Sequence, residues 1–176
     1  MYFVERDGTA PAVLCIHGYC QSSIYWVPTV ERLAQLGIRA IAPDLPGFGE
    51  SAGLRGPYTM EAYADAVAQF LDNRNLTQVV LVGSSMGGVV AQHFALRHPT
   101  RLLRLLLVST GAVMADPVTA LAKGDAIAAA PWDEDAVRPI VQGFFRRPLA
   151  AADFDRYRRI ALMASHQAAI EANQSN

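Results

Sequence analysis

The sequence has few of the features that mark secreted, disulfide-bonded or membrane proteins. It contains two cysteines, Cys15 and Cys20, which cannot form the multi-bridge framework of a small secreted domain. No apolar run approaches the ~18 residues of a transmembrane helix, and no basic segment followed by an apolar stretch marks a signal peptide at the amino terminus. Cys15 lies in an apolar run and should be a buried free thiol. We therefore expect a soluble cytoplasmic protein.

Charge of either sign is also scarce. The formal net charge is −1 and charged residues make up 18% of the sequence, which argues against nucleic acid as the main partner. Hydrophobic residues make up 52% of the 176 residues, enough for one globular protein with a sizeable core. We expect neither a metal nor a cofactor.

Four short runs are apolar throughout instead of alternating with polar residues, as in strands that are buried on both faces. These runs are Ala12–Ile16, Ile38–Ala42, Val79–Val82 and Leu105–Val108, and helical patterns separate them. The arrangement predicts an α/β fold with a doubly wound, mostly parallel sheet and helices on both of its faces.

The pattern changes after Thr110. Residues 111–176 contain no strand-like run and are rich in alanine and arginine, which predicts a helical cap appended to an α/β core of residues 1–110. Asp133 is placed to cap one cap helix, and about residues 151–172 are predicted to form one long helical stretch. Asp116 and the other aspartates of this region are expected to cap or solvate helices.

The most informative stretch is Val79–Leu96, in which an apolar run ends in Gly-Ser-Ser-Met-Gly and a helical pattern begins at once. A G-x-S-x-G sequence between a strand and a helix is the signature of a nucleophile elbow. It would hold the hydroxyl of Ser85 on a tight turn above the end of the sheet. The alternative is a glycine-rich turn that contains an incidental serine.

Three motifs, taken in their order along the chain, resemble the α/β-hydrolase superfamily. They are His17-Gly18-Tyr19, the loop Asp44–Ser51 and Gly83–Gly88, each of which follows a predicted strand. The resemblance covers roughly residues 2–110 and points to the esterase-like and carbon–carbon-bond hydrolase branches. It does not extend to the branch with an aspartate nucleophile, because Ser85 occupies that position.

The resemblance implies a role for several further residues. The oxyanion formed when Ser85 attacks a carbonyl needs fixed donors, and these would be the main-chain amides of Met86 and Tyr19. Ser84 and Trp26 are candidates for substrate contacts, although a turn and core packing are the ordinary roles of such residues.

The histidines and Asp44 are weaker candidates for catalysis. His17 and Asp44 occupy positions that shape loops in the family, so we expect structural roles for both. His93 lies two helical turns after Ser85, about 12 Å along the axis, and is too far away to serve as its base. His98 ends the same helix and is expected at the surface. His166, in the cap region, is the remaining candidate for a base.

Two parts of a complete catalytic triad are not found in the sequence. The acid and the histidine of this fold follow the serine on later strands, yet nothing after Val108 resembles a strand. We therefore expect a chain that is truncated at both ends relative to the family. Its last strand, Leu105–Val108, would be an exposed apolar edge through which copies of the chain associate.

Three functions remain open on the sequence alone. The first is hydrolysis of a small-molecule carboxylic ester, or a related carbonyl compound, through an acyl-enzyme on Ser85. The second is carbon–carbon-bond hydrolysis of the meta-cleavage-product type. The third is a catalytically incompetent fragment or binding module that lacks the acid and the histidine.

Overall fold

The computed structural model describes residues 1–111 and 117–175, without the side chains of residue 10 and residues 117–121. The expected role of Asp116 lies outside the described residues. The described chain forms five strands and seven α-helices. The strands are β1 (Phe3–Arg6), β2 (Thr9–Ile16), β3 (Ile38–Pro43), β4 (Val79–Ser84) and β5 (Leu102–Val108). The helices are α1 (Val27–Gln35), α2 (Met60–Asp72), α3 (Met86–Arg97), α4 (Pro117–Ala128), α5 (Glu134–Gly143), α6 (Ala151–Leu162) and α7 (His166–Gln174).

The strands form one sheet in the order β1-β3-β2-β4-β5. β1 runs antiparallel to β3, and the other neighbouring pairs are parallel. The predicted doubly wound, mostly parallel sheet is confirmed. The carboxyl ends of β2 and β4 are paired through Ile16 and Gly83, so the loops that follow these two strands meet at one edge of the sheet.

The central strands of the sheet carry apolar side chains on both of their faces. Helices therefore pack against each face of the sheet and bury these side chains. On one face a small cluster joins Cys15, Val30 and Val82 beside α1. On the other face a larger cluster contains buried residues of α2, α3 and the later helices. Cys15 is fully buried and free, as expected, and burial raises the pKa of its thiol to about 12.

The predicted helix start at Asp133 is confirmed, and the side chain of Thr59 caps α2 in the same way. The Thr59 hydroxyl accepts from the amide of Ala62 at 3.2 Å, and the Asp133 carboxylate accepts from the amides of Asp135 and Ala136 at 3.1 and 3.0 Å. Each cap satisfies amides that have no partner inside the helix.

The single helical stretch expected over residues 151–172 is wrong, because two helices lie there. α6 ends at Leu162, and Ser165 begins α7 by accepting the amide of Ala168 at 3.1 Å. The amide of Ser165 donates to the carbonyl of Gly47 at 2.8 Å, so the break between the helices is also the point where the last helix docks on the core.

α7 is held to the core by side chains as well. Glu171 accepts from the amide of Tyr58 at 3.1 Å, and Ala168, Ala169 and Ala172 are buried on its inner face. Small side chains let this helix lie close to the loops of the core. The division of the chain at residue 110 into core and cap stays a prediction.

β5 is the edge of the sheet, with no strand on its outer side in the described chain. Leu103, Leu106, Leu107 and Val108 are exposed on it, which confirms the expected apolar edge. None of the helices that the structure describes combines the length and the hydropathy needed to cross a membrane.

Candidate active site

Ser85 lies on the turn between β4 and α3 in a backbone conformation that non-glycine residues rarely adopt. Its φ is 53° and its ψ is −122°, and such a conformation costs about 1–3 kcal/mol unless its surroundings enforce it. The amide of Ser85 donates to the carbonyl of Val108 at 3.0 Å, and the Thr110 hydroxyl donates to the carbonyl of Ser85 at 2.8 Å. These bonds hold the turn while Ser85 itself stays exposed to solvent.

The turn is tight because glycine permits the start of α3 to approach β2. A Cβ atom on Gly87 would overlap the carbonyl groups of Ile16 and His17. The glycines of the G-x-S-x-G sequence are therefore a packing requirement in this structure, and the alternative of an incidental turn loses its support.

The loop after β2 lies against Ser85. A Cβ atom on Gly18 would be 3.3 Å from the Cβ of Ser85, and Cys20 adopts a positive φ of 51° that turns the chain back. The amide of Gly18 donates to the Gln21 side chain at 2.9 Å. Gln21 belongs to no recognisable sequence motif, so its contact with this loop could not be predicted from the sequence.

Tyr19 is fixed by its own side chain. The hydroxyl donates to the carbonyl of Ala169 in α7 at 2.8 Å, and the ring meets that of Phe48 edge-on, with centroids 6.3 Å apart. Burial raises the pKa of the phenol well above its ordinary range, so it stays a neutral donor at physiological pH.

Two amides near Ser85 are available as donors. Among residues 1–111 and 117–175, the main-chain amides of Tyr19 and Met86 have no backbone acceptor outside their own elements. Met86 is the first residue of α3, where the positive end of the helix dipole lies. The arrangement is suited to stabilising a negative charge that forms beside Ser85.

His17 is a structural residue in this site. Its Nε2 accepts from the amide of Leu45 at 3.0 Å, so the proton is on Nδ1, which lies 2.8 Å from the carbonyl oxygen of Gly18. Complete burial lowers the pKa of His17, although the bond to Gly18 and the charge of Asp44 act in the opposite direction. A neutral ring with both nitrogens engaged does not serve as a base for Ser85.

Asp44 joins two loops at the same edge of the sheet. Its buried carboxylate accepts from the amide of Ser23 at 2.5 Å and from the amide of Glu50 at 2.8 Å. Both oxygens are engaged by backbone donors, which confirms the expected structural role.

The other histidines are engaged elsewhere. Nδ1 of His93 lies 3.5 Å from the Glu61 carboxylate, and Nε2 of His98 lies 2.9 Å from that of Asp65. Nε2 of His166 lies 2.8 Å from the carbonyl oxygen of Ile127. No hydrogen bond joins the Ser85 hydroxyl to a histidine in the part of the chain that the structure describes, and His166 as the base is not supported.

Ser84 and Trp26 are both buried in the structure. Ser84 is 5% exposed at the end of β4. Trp26 is 6% exposed and packs with Cys15 and Val82 in the cluster on the α1 face of the sheet. Both side chains are buried in the structure, and their assignment as substrate contacts stays a prediction.

The family model for the alpha/beta hydrolase fold matches residues 11–166. An uncharacterized protein of Mycobacterium tuberculosis is 41% identical over 109 residues, which cover 62% of this chain and 32% of that protein. Bifunctional epoxide hydrolase 2 of Sus scrofa is 33% identical over 119 residues, 66% of this chain and 21% of that protein.

Solved structures share the architecture. A thermophilic esterase from Thermogutta terrifontis superimposes with a TM-score of 0.80 and is 30% identical, over 99% of this chain and 65% of that one. This chain therefore spans less than two thirds of the length of these three relatives. The family match extends from β2 into α7 and includes the strand, turn and helix around Ser85. On these observations the chain belongs to the α/β-hydrolase fold family.

Proposed function

We propose that the protein hydrolyses carboxylic esters through an acyl-enzyme formed on Ser85. The observation that carries the proposal is the conformation of Ser85, which is exposed and held at a φ of 53° between β4 and α3. A strained, exposed serine next to two amides has the geometry of a nucleophile in acyl transfer.

The chemistry follows from these groups. The Ser85 oxygen attacks the ester carbonyl, and the amides of Met86 and Tyr19 stabilise the oxyanion that forms. Collapse of the tetrahedral intermediate breaks the ester C–O bond, and the leaving oxygen takes up a proton in place of the one that the Ser85 hydroxyl lost. The alcohol departs and leaves an ester on Ser85, which water hydrolyses to the free acid and the regenerated hydroxyl. Binding and the oxyanion donors alone can accelerate such a reaction ~10³- to 10⁴-fold over water.

The relatives support ester chemistry to different degrees. The Thermogutta terrifontis structure is that of an esterase, whereas the Sus scrofa relative is an epoxide hydrolase. A serine at the elbow favours the ester, because an oxygen nucleophile that attacks a carbonyl forms the oxyanion for which the two amides are placed.

A second function is favoured by one observation. A serine hydroxyl needs a base to take its proton, and each of the four histidines is engaged with a partner other than Ser85. The chain by itself would then bind an ester, and react slowly at Ser85, without efficient turnover.

A fluorophosphonate probe tests both functions, since it reacts with an activated serine. The proposal expects labelling at Ser85 together with turnover of p-nitrophenyl acetate, and loss of both in Ser85→Ala. Ser84→Ala is the matched control, because Ser84 is the neighbouring serine but is buried. Labelling without turnover supports the second function. Absence of labelling in a folded protein overturns both.

A further inference from the structure

A cavity of about 370 Å³ lies beside the loop that carries Tyr19. Its walls are mostly apolar and come from α4, α5, the segment between them and α7. Six of the lining residues carry the argument: Tyr19, Lys123, Ile127, Trp132, Ile140 and Asn173. Cavities that bind small molecules have volumes of roughly 300–1,000 Å³ and mostly apolar walls with a few polar groups.

Tyr19 connects this cavity to the proposed reaction centre. Its main-chain amide is one of the two proposed oxyanion donors, and its side chain forms part of the cavity wall. The bond from the hydroxyl to Ala169 fixes the ring in this position. Because Tyr19 borders this cavity and also supplies one of the proposed donor amides, the cavity is the apolar space that we assign to a side group of the substrate.

The opposite wall is held by contacts within the later helices. His166 bonds the carbonyl of Ile127 through Nε2, and its ring stacks on Trp132 with centroids 5.7 Å apart. The position of Trp132 is thus set by α7, the same helix that fixes Tyr19. At the ~30 Å³ that a water molecule occupies in the liquid, the cavity has room for on the order of ten non-hydrogen atoms.

One cationic side chain, that of Lys123, is among the residues that line the cavity. Lys123 is the single lysine of the sequence and is exposed at the rim. No salt bridge joins it to an acid among the residues that the structure describes, and none of the lining residues is acidic. A carboxylate brought to this rim would meet an ammonium group for which no salt-bridge partner is found within residues 1–111 and 117–175.

We infer that the site takes esters whose acyl side is a short apolar chain ending in an anionic group. The chain would occupy the apolar cavity between Tyr19 and Trp132, and the anionic end would pair with Lys123. This inference rests on the proposed ester hydrolysis, because that function places the carbonyl at Ser85. It adds the class of substrate.

Binding of monomethyl adipate and methyl hexanoate tests the inference, since the first ends in a carboxylate and the second in a methyl group. Ser85→Ala is used so that neither ester is consumed, and binding is followed by calorimetry and by tryptophan fluorescence, to which both Trp26 and Trp132 contribute. We expect monomethyl adipate to bind about three- to fivefold more tightly, the size of an exposed ion pair.

Three further substitutions in the Ser85→Ala background test whether the preference for the carboxylate arises from Lys123 and from the cavity. Lys123→Gln should remove the preference for the carboxylate and leave methyl hexanoate unchanged. Arg159→Gln is the matched control, because it removes an exposed positive charge of α6 that does not line the cavity. Ala130→Phe should fill the cavity and weaken both esters at least tenfold, while circular dichroism confirms that the variant is folded.

Several results would overturn the inference. These are equal binding of the two esters, a preference that survives Lys123→Gln, or unchanged affinity in a folded Ala130→Phe variant. The test does not depend on catalysis. Preferential binding in Ser85→Ala, together with no labelling of the parent protein at Ser85, would reject the hydrolase proposal and keep the cavity as an anion-selective binding site.

Discussion

β4 and β5 are neighbouring parallel strands that are both almost wholly apolar, yet their surroundings differ. In β4 all residues except Val80 are buried. In β5 five of the seven residues are exposed, and only Leu102 and Leu105 are partly covered. β4 has a paired strand on each side, whereas β5 has a partner on one side only.

The difference shows that an apolar run predicts a strand without predicting its burial. Burial needs helices on both faces and a strand on each side, and β5 lacks part of this cover in the described chain. The candidate site also has one well-packed side and one poorly covered side. The turn at Ser85 is packed against β2 on one side. On the β5 side it is held by one hydrogen bond to Val108 and one to Thr110.

The largest expected effect comes from disturbing the packed side. Gly87→Val would force a side chain into the carbonyls of Ile16 and His17, and backbone cannot move aside as a flexible side chain can. We expect a loss of at least about 3 kcal/mol in the free energy of unfolding, enough to unfold a marginally stable chain.

Urea denaturation measures this loss. Gly53→Val is the matched control, because a Cβ atom there would meet nothing within 4 Å. Equal stability of the two variants would contradict the tight packing of α3 against β2.

The packed side is also the part that the sequence predicts well, for a physical reason. The turn at Ser85 and the helix start at Thr59 depend on residues adjacent in the chain, so local chemistry determines them. The antiparallel pairing of β1 with β3 depends on contacts between distant segments. The break at Ser165 likewise depends on docking to Gly47, which periodicity within residues 151–172 does not contain.

The second prediction concerns the open side. The exposed leucines of β5 should make the chain self-associate, since an unpaired apolar edge can pair with another copy. Replacing Leu106 and Leu107 together by lysine should weaken association at least about tenfold, because each leucine contributes ~1.5–3 kcal/mol when it is buried.

Analytical ultracentrifugation over a range of concentrations checks this effect. Leu36→Lys is the control, as Leu36 is 60% exposed but lies after α1, away from β5. A stable monomer at high concentration, or equal weakening by Leu36→Lys, would show that β5 is not the contact.

The third prediction uses the buried ring of His17 at the packed end of β2. Its pKa is lowered in the folded state by burial, so below about pH 6.5 the unfolded chain binds a proton that the folded chain excludes. This contribution to stability is complete above pH 6.5 and is lost as the pH falls, with a slope of up to about 1.4 kcal/mol per pH unit.

Urea denaturation between pH 7.5 and 5.5 measures the slope. We expect His17→Asn to be less stable at pH 7.5 and to lack this part of the acid dependence. His93→Gln, which removes an imidazole from the partly exposed pair with Glu61, should retain it. A slope that persists unchanged in His17→Asn would assign the proton to another group.

The smallest expected effect compares two adjacent serines at the boundary between the packed and open sides. Ser85 is held at a φ of 53° and a ψ of −122°, which glycine adopts without the ~1–3 kcal/mol penalty of other residues. Glycine also costs ~0.5–1 kcal/mol through the greater freedom of the unfolded chain. Ser85→Gly should therefore raise the free energy of unfolding by about 1 kcal/mol.

Ser84 provides the opposite case, because it lies in β4, where glycine has no strain to relieve. Ser84→Gly should lower the free energy of unfolding by about 1 kcal/mol, from the cost of glycine in a strand. The two substitutions thus differ in sign although the residues are consecutive. If Ser85→Gly destabilises the protein as Ser84→Gly does, the turn stores no strain at the nucleophile. Ser85 would then be exposed because β5 leaves that side of the turn uncovered, and not because the turn holds it in a strained conformation.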